Sequence, residues 1–170
     1  MASLKIDSGK ISFDISGKGR IEDPRLKGKV VISDLNFNNQ RLEKIPFEVK
    51  VENQTARIFG GLNFILDAAY GLESHSFSLS ARFDNTDLTP YLHIVGKEEL
   101  NGTITGNIES KGNFGPPIQI EGTTRISQLS LFWKDMPLIK GNDLMLLLHN
   151  DDISIPGMRL SLIDQGYFTI

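Results

Sequence analysis

The chain has 170 residues, 39% of them hydrophobic and 23% charged, so it is long enough for one domain and too apolar for a disordered segment. The 18 Lys and Arg residues and 21 Asp and Glu residues give a formal net charge of -3, and no basic stretch indicates a nucleic-acid partner. The sequence has no cysteine, which excludes disulfides and thiolate sites, and no apolar stretch of about 18 residues that would span a bilayer.

Apolar and polar residues alternate along most of the chain, with the period of two that is typical of a half-buried β-strand. The pattern begins at Ile11 and recurs as far as Leu148. We expect its apolar members to form one face of a sheet, where they would contact lipid or a bound strand. They are Ile11, Phe13, Ile15, Val30, Ile32, Val49, Val51, Phe77, Leu79, Phe83, Ile104, Ile108, Ile118, Ile120, Ile126, Leu144, Leu146 and Leu148.

Turn-forming residues separate these stretches at short intervals, which favours an antiparallel meander. The predicted turns are Asp7–Gly9, Ser16–Gly19, Asp23–Pro24, Asn38–Asn39, Asn101–Gly102, Gly115–Pro117, Lys140–Asn142, Asn150–Asp152 and Pro156–Gly157. One short helix at most is expected, near residues 88–95, because Pro90 and Gly96 limit it to about two turns. The fold class predicted from these patterns is all-β.

Two parts of the sequence are similar to each other. Gly28–Phe37 aligns with Gly122–Leu131 at an offset of 122 − 28 = 94 residues. We therefore predict a single all-β domain of just under two repeats, residues 4–97 and 98–170, within a longer protein, with residues 1–3 as a cloning remnant. Repetition would let each unit extend the apolar face of its neighbour.

Several motifs occur in the same order as in a known family. They are Phe83–Leu92, Leu100–Gly112, Pro116–Gly122 and Ile126–Leu131, together with the earlier Gly19–Gly28, which has the form G-x-x-x-D-P-x-L-x-G. In these motifs the chain resembles the repeat region of the TamB and AsmA-like proteins, and the resemblance covers nearly its whole length.

The resemblance implies a segment of the translocation and assembly module subunit of the bacterial envelope, in the periplasm, as part of a protein anchored in the inner membrane. It implies an elongated antiparallel sheet folded over into a U-shaped β-groove, or β-taco, with a hydrophobic interior. Such a groove would serve phospholipid transport between the inner and outer membranes, assembly of outer-membrane and autotransporter proteins, or both. The implied partners are phospholipid acyl chains or unfolded β-strands, and an outer-membrane barrel of the TamA/BamA type.

Catalytic and metal-binding alternatives are weaker. His75, His93 and His149 accompany no G-x-S-x-G nucleophile motif, so we predict neither an enzyme nor a cofactor. Asp143 with Asn150–Asp152 offers carboxylates for calcium, but their spacing matches no known calcium loop and favours a turn.

One interpretation without a groove also remains for the apolar stripe. It could be the dry core of a β-sandwich, for example an extracellular adhesin or carbohydrate-binding module. A sugar site usually needs exposed aromatic platforms, whereas Trp133 and the three Tyr residues are scattered along this sequence. Small residues at Ala81, Gly106 and Gly122 favour a groove, since they could leave room for acyl chains.

Overall fold

A computed structural model describes residues 6–20, 22–37, 40–42, 44–61, 63–162 and 166–169. These residues form one helix and twelve strands. In chain order the elements are β1 (Ile6–Arg20), β2 (Asp23–Phe37), β3 (Gln40–Leu42), β4 (Ile45–Glu52), β5 (Thr55–Gly60), β6 (Phe64–Gly71), β7 (Ser76–Asp87), α1 (Thr89–Ile94), β8 (Leu100–Asn113), β9 (Gln119–Trp133), β10 (Met136–His149), β11 (Asp152–Leu162) and β12 (Gly166–Thr169). The predicted all-β class and the short helix are therefore confirmed.

The described strands belong to one sheet, which is open. Its order is β1-β2-β4-β5-β6-β7-β8-β9-β10-β11-β12, and β3 adds to one end of β2. Every pairing is antiparallel. The strands thus form a meander, as the turn spacing predicts, and no second sheet packs on it within the described ranges.

Cross-strand register places the apolar residues on one side of this sheet. Phe13 lies opposite Val30, and Val30 lies opposite Phe47 on the next strand. Directly opposite residues share a face, so the assignment carries from strand to strand. We call this side the apolar face; its members include Ile11, Phe13, Ile15, Val30, Ile32, Phe47, Val49, Val51, Ile58, Phe64, Leu66, Ala68, Tyr70, Phe77, Leu79, Phe83, Ile104, Ile108, Ile120, Ile126, Leu129, Leu131, Leu144, Leu146 and Leu148.

β-Bulges, in which one strand has an additional residue, occur in several of the long strands. They shift the alternation of side chains, so that apolar residues on both sides of a bulge lie on the apolar face. Gly106 pairs with Ile126, but the adjacent Thr105 pairs with Gln128, so β9 contains one residue more than β8 at this point. Neighbouring strands carry a left-handed residue close by, Asn85 (φ 46°) in β7 and Asp143 (φ 55°) in β10. A β-bulge reverses the alternation and increases local twist.

The sheet has almost no conventional core. Its accessible surface is 11960 Å², compared with about 8,300 Å² for a compact monomer of this mass. Among the described residues Ala81, at 6% exposure, is the one fully buried apolar side chain, whereas Phe13 is 75% exposed. Both faces of a largely single-layered sheet are therefore in contact with solvent.

Six predicted turns are wrong, because their residues lie inside strands. They are Asp7–Gly9 and Ser16–Gly19 in β1, Asp23–Pro24 in β2, Asn101–Gly102 in β8, Lys140–Asn142 in β10 and Pro156–Gly157 in β11. A Cβ on Gly17 would overlap the side chain of Leu26, and one on Gly141 would come within 2.9 Å of two leucine side chains. These glycines make room for large neighbours instead of bending the chain.

The other turn predictions have mixed outcomes. Gly115–Pro117 lies in the connection between β8 and β9, and Asn150–Asp152 spans the turn between β10 and β11, as predicted. The Asn38–Asn39 turn and the proposed remnant at residues 1–3 lie outside the described residues.

Candidate functional site

The sequence-predicted face residues lie on one side of the sheet, with one exception. All of them except Ile118 lie on strands, and the register puts them on the apolar face. Ile118 precedes β9 in the connection that contains Pro116 and Pro117, and it is 62% exposed. Whether these residues contact a lipid or a strand stays a prediction.

The apolar face is large compared with a small-molecule pocket. Its longest strands have 15 residues, so each extends about 50 Å at 3.3 Å per residue. Eleven strand positions lie side by side, which gives a width of about 48 Å along the sheet. The arrangement is therefore an extended surface and not a pocket.

Exposure is greatest near the two edges of the sheet. On β1, Ile11 is 65% exposed and Ile15 is 48% exposed; on β11, Ile153 is 66% exposed and Ile155 is 43% exposed. On the central strands the members of the face are mostly half-buried, because neighbouring side chains flank them on both sides.

Helix α1 contributes an aromatic ring at one end of the face. Its Tyr91 ring lies 6.2 Å from the ring of Phe64, which stacks at 5.5 Å on Phe83 of the next strand. Burial raises the pKa of Tyr91, and the nearby Asp87 carboxylate raises it further. The helix begins where it does because Asp87 accepts a hydrogen bond from the backbone N–H of Thr89, at 2.9 Å, and Pro90 suits the first turn.

A second aromatic group marks the opposite end. Phe114, which directly follows β8, stacks on Phe77 of the apolar face with ring centroids 4.4 Å apart. Tyr70 lies on the same face, 6.4 Å from Phe114, and its hydroxyl is 2.9 Å from Nδ1 of His75. The face therefore has an aromatic side chain from a connecting segment at each end.

Several members of this face are absent from the sequence prediction. Phe64, Leu66, Ala68 and Tyr70 alternate along β6 and carry the same signal as the predicted stretches. Leu129 and Leu131 follow the β9 bulge, where the alternation changes phase. Tyr91 and Phe114 have no period-two pattern, so only the structure identifies them.

The small residues differ in the room that they leave. A Cβ on Gly122 would have its nearest neighbours at 3.5 Å, which is ordinary contact. A Cβ on Gly106 would lie 2.3 Å from the carbonyl oxygen of Arg125, so this glycine permits close approach of two strands. Ala81 is buried. Of the three, Gly122 alone leaves space beside the sheet.

The opposite side of the sheet, which we call the polar face, carries charged pairs. Its members include Asp14, Lys27, Lys29, Glu48, Lys50, Arg57, Phe59, Asp67, Glu109, Lys111 and Glu121. Arg57 donates from Nε to Asp67 at 2.7 Å, and this hydrogen bond holds the pKa of the carboxyl below its usual range. Lys111 pairs with Glu121 across two strands at 3.3 Å.

Shallow depressions also lie on the polar face. One of about 670 Å³ is bordered by Asp14, Lys29, Glu48, Arg57 and Phe59. Another of about 620 Å³ borders on charged and hydroxyl side chains of β7 to β10. Charged side chains border both concavities, and leucines contribute to the lining of the second.

Residues considered for catalysis or metal binding do not converge. His75 lies in the turn before β7, His93 on α1 and His149 at the end of β10. Asp143 lies within β10, about 23 Å along the strand from Asn150. No group of three His, Asp or Glu side chains among the described residues could hold a metal ion. The described helix is also too short and polar to cross a membrane.

Comparisons with protein-family models, curated proteins and solved structures give no match to this chain. The similarity to TamB and AsmA-like repeats therefore depends on the sequence motifs alone.

Proposed function

We propose that this protein is a periplasmic repeat segment of a TamB-like envelope protein, whose apolar face forms the hydrophobic interior of a U-shaped groove for phospholipid acyl chains. In such a protein the groove would serve lipid transport between membranes and assembly of outer-membrane proteins. The observation that carries the proposal is the apolar face itself. It continues in register across the strands from β1 to β10, and no second sheet covers it in the part of the chain that the structure describes.

The physical basis is the exposure of this face. Acyl chains gain about 0.8 kcal/mol for each CH₂ group that leaves water. Side chains such as Phe13 and Ile11 offer exposed apolar contact, and each lies opposite an apolar residue of β2. A uniform apolar track binds acyl chains weakly at any one point, so a lipid can move along it while its headgroup remains in water.

The alternative is a sugar-binding adhesin, and the aromatic residues argue against it. Trp133, at the end of β9, lies opposite Leu100 at the start of β8. Tyr70 lies opposite Phe77, and Phe77 lies opposite Gly112 near the other end of β8. The distance along β8 from Leu100 to Gly112 is about 40 Å. These rings are too far apart to form one sugar platform.

A pair of neighbouring residues allows a direct test. Ile58 is 42% exposed on the apolar face, and Phe59 is 46% exposed on the polar face of the same strand. Because both side chains are exposed, neither Ile58→Glu nor Phe59→Glu should unfold the sheet. The probe is phosphatidylethanolamine with a pyrene-labelled acyl chain, and the readout is pyrene emission during titration with protein.

We expect the unmodified chain and Phe59→Glu to bind the probe alike and Ile58→Glu to weaken binding at least several-fold. A head-labelled, short-chain analogue should not bind. Equal binding by the two variants, with circular dichroism spectra like that of the unmodified chain, would contradict the proposal. So would preferential loss in Phe59→Glu.

A further inference from the structure

Three cationic side chains lie directly opposite one another on the polar face. Lys27 of β2 is paired with Lys50 of β4, and Lys50 is paired with Arg57 of β5. Neighbouring strands lie about 4.8 Å apart, and like charges in directly opposite positions destabilise a sheet. Lys18 and Arg25 lie opposite each other in the next row of the same face. Sheet stability therefore does not explain this group of five residues, which we call the cationic cluster.

Other charges on the polar face are complementary. Lys29 lies opposite Asp14 on one side and Glu48 on the other. Lys111 lies opposite Glu121 and forms an ion pair with it. The cationic cluster departs from this arrangement, because its members lie opposite one another.

Carboxylates neutralise the cationic cluster only in part. Lys18 and Lys27 make no ion pair with any residue that the structure describes. The other three members each have one carboxylate partner, and the pairs are Arg25 with Asp23, Lys50 with Glu52 and Arg57 with Asp67. The three paired cations are 58% to 60% exposed, and ion pairs at exposed positions are weak, so these cations can also contact a further anion.

Four members of the cluster border a depression of about 390 Å³ in the polar face. They are Lys18, Arg25, Lys27 and Lys50, and the hydroxyl residue Ser16 and the acidic residue Glu52 lie beside them. The charged residues at the border are thus four cations and one carboxylate. Guanidinium and ammonium groups bind phosphate oxygens through charge-assisted hydrogen bonds, and a serine hydroxyl can donate another.

We propose that the cationic cluster is an oxyanion site, which holds a phosphate monoester or diphosphate group in the depression between β1, β2 and β4. The excess of positive charge at the border favours a ligand with two or more negative charges over a zwitterion. The site lies on the side of the sheet opposite the apolar face, so this inference does not depend on the proposed lipid function. The two can fail separately, because the lipid test uses a zwitterionic headgroup and the present test uses a multivalent anion without acyl chains.

The probe is inorganic pyrophosphate, and the measurement is its dissociation constant from isothermal titration calorimetry at low ionic strength, where screening is weak. Lys27→Gln should weaken binding at least several-fold. Lys29→Gln is the matched control, since it makes the same charge change two residues along the same strand and face, outside the border of the depression. It should leave the dissociation constant nearly unchanged.

Glu52→Gln should have the opposite effect and tighten binding, because it removes the carboxylate at the border of the depression. If Glu52 served only to hold Lys50 in place, the same change would weaken binding or leave it unaltered. Circular dichroism of each variant separates a loss of binding from a loss of folding.

Vesicles of phosphatidylcholine with phosphatidic acid identify the source of the phosphate group. Co-sedimentation that Lys27→Gln reduces and Lys29→Gln does not would assign the site to a phosphomonoester headgroup in a membrane. Pyrophosphate binding without co-sedimentation would assign it to a soluble ligand. Absence of pyrophosphate binding to the unmodified chain, or equal losses in Lys27→Gln and Lys29→Gln, would overturn the proposal.

Discussion

Phe114 stacks on Phe77 with only 14° between the ring planes, although Phe114 lies outside the sheet and Phe77 lies on its apolar face. The stack folds the connection after β8 back over the end of the face. The connection is also held by its neighbours, since the backbone N–H of Phe114 donates to the carbonyl of His75 at 3.0 Å. The face is therefore partly covered at this end by the connection between β8 and β9.

Removal of the Phe114 ring should destabilise this end of the sheet. We expect Phe114→Ala to lower the free energy of unfolding by about 1 kcal/mol, since stacked aromatic pairs contribute this much beyond area burial. The measurement is urea denaturation followed by circular dichroism. Phe59→Ala is the control, because Phe59 is similarly exposed and makes no ring contact among the described residues; an equal loss in both variants would contradict the assigned role of the stack.

Two strand glycines should respond in opposite directions to alanine. Gly106→Ala would force a Cβ to within 2.3 Å of a backbone oxygen and should destabilise the fold by more than 1 kcal/mol. Gly122→Ala meets only ordinary contacts and should stabilise it by about 0.5 kcal/mol, since alanine reduces the entropy of the unfolded chain. Thermal denaturation of both variants tests this order, and a lower stability for Gly122→Ala would refute it.

Glu99 should titrate below its usual range and change tryptophan emission as it does so. Its carboxylate accepts hydrogen bonds from Lys134 at 2.8 Å and from the indole N–H of Trp133 at 2.6 Å, which hold its pKa low. This stabilisation is present above the unfolded-state pKa of about 4.3 and is lost as the pH falls through the lower folded-state pKa.

Trp133 is the one tryptophan of the chain, so its fluorescence reports this site directly. We expect the emission to change with a midpoint below about pH 4.3, which is the usual pKa of a free glutamate carboxyl. Lys134→Gln should move the midpoint to higher pH, and Glu99→Gln should abolish the change. A midpoint that does not respond to Lys134→Gln would show that the ammonium group has no influence.

The Arg57 guanidinium should control the titration of Asp67. Its hydrogen bond keeps the pKa of this carboxyl low, and slight burial opposes the effect. Carbon-detected NMR of the side-chain carboxyl should show the pKa rise toward its usual value of about 3.9 in Arg57→Gln. Lys50→Gln changes the same face without a contact to Asp67 and should leave the titration unchanged; an equal rise in that variant would indicate a general field effect instead.

The sequence predicts the class of fold and most of the apolar face because both depend on local alternation. Phe13 and Leu146 lie more than 100 residues apart, yet each is on the predicted side, since a half-buried strand must alternate. The same rule fails at Leu129, where one additional residue in β9 reverses the phase.

Other features depend on contacts between distant residues, which no local pattern contains. Gly17 and Gly141 resemble turn residues, but each accommodates a leucine of a neighbouring strand. Tyr91 and Phe114 join the face only because the connections after β7 and β8 return to Phe64 and Phe77. The face is thus predictable from sequence, whereas its boundaries are not.

The simple strand order has a consequence for how the chain folds. Apart from the small β3, each strand pairs with the strand before it in the sequence, so native contacts are local for an all-β protein. Low contact order favours fast folding, and linear arrays in which each element contacts only its neighbours lose cooperativity easily. We expect hydrogen exchange to show protection that decreases gradually from β8 and β9 toward both edges, so that the sheet grows by addition of single hairpins; uniform protection across the strands would contradict this.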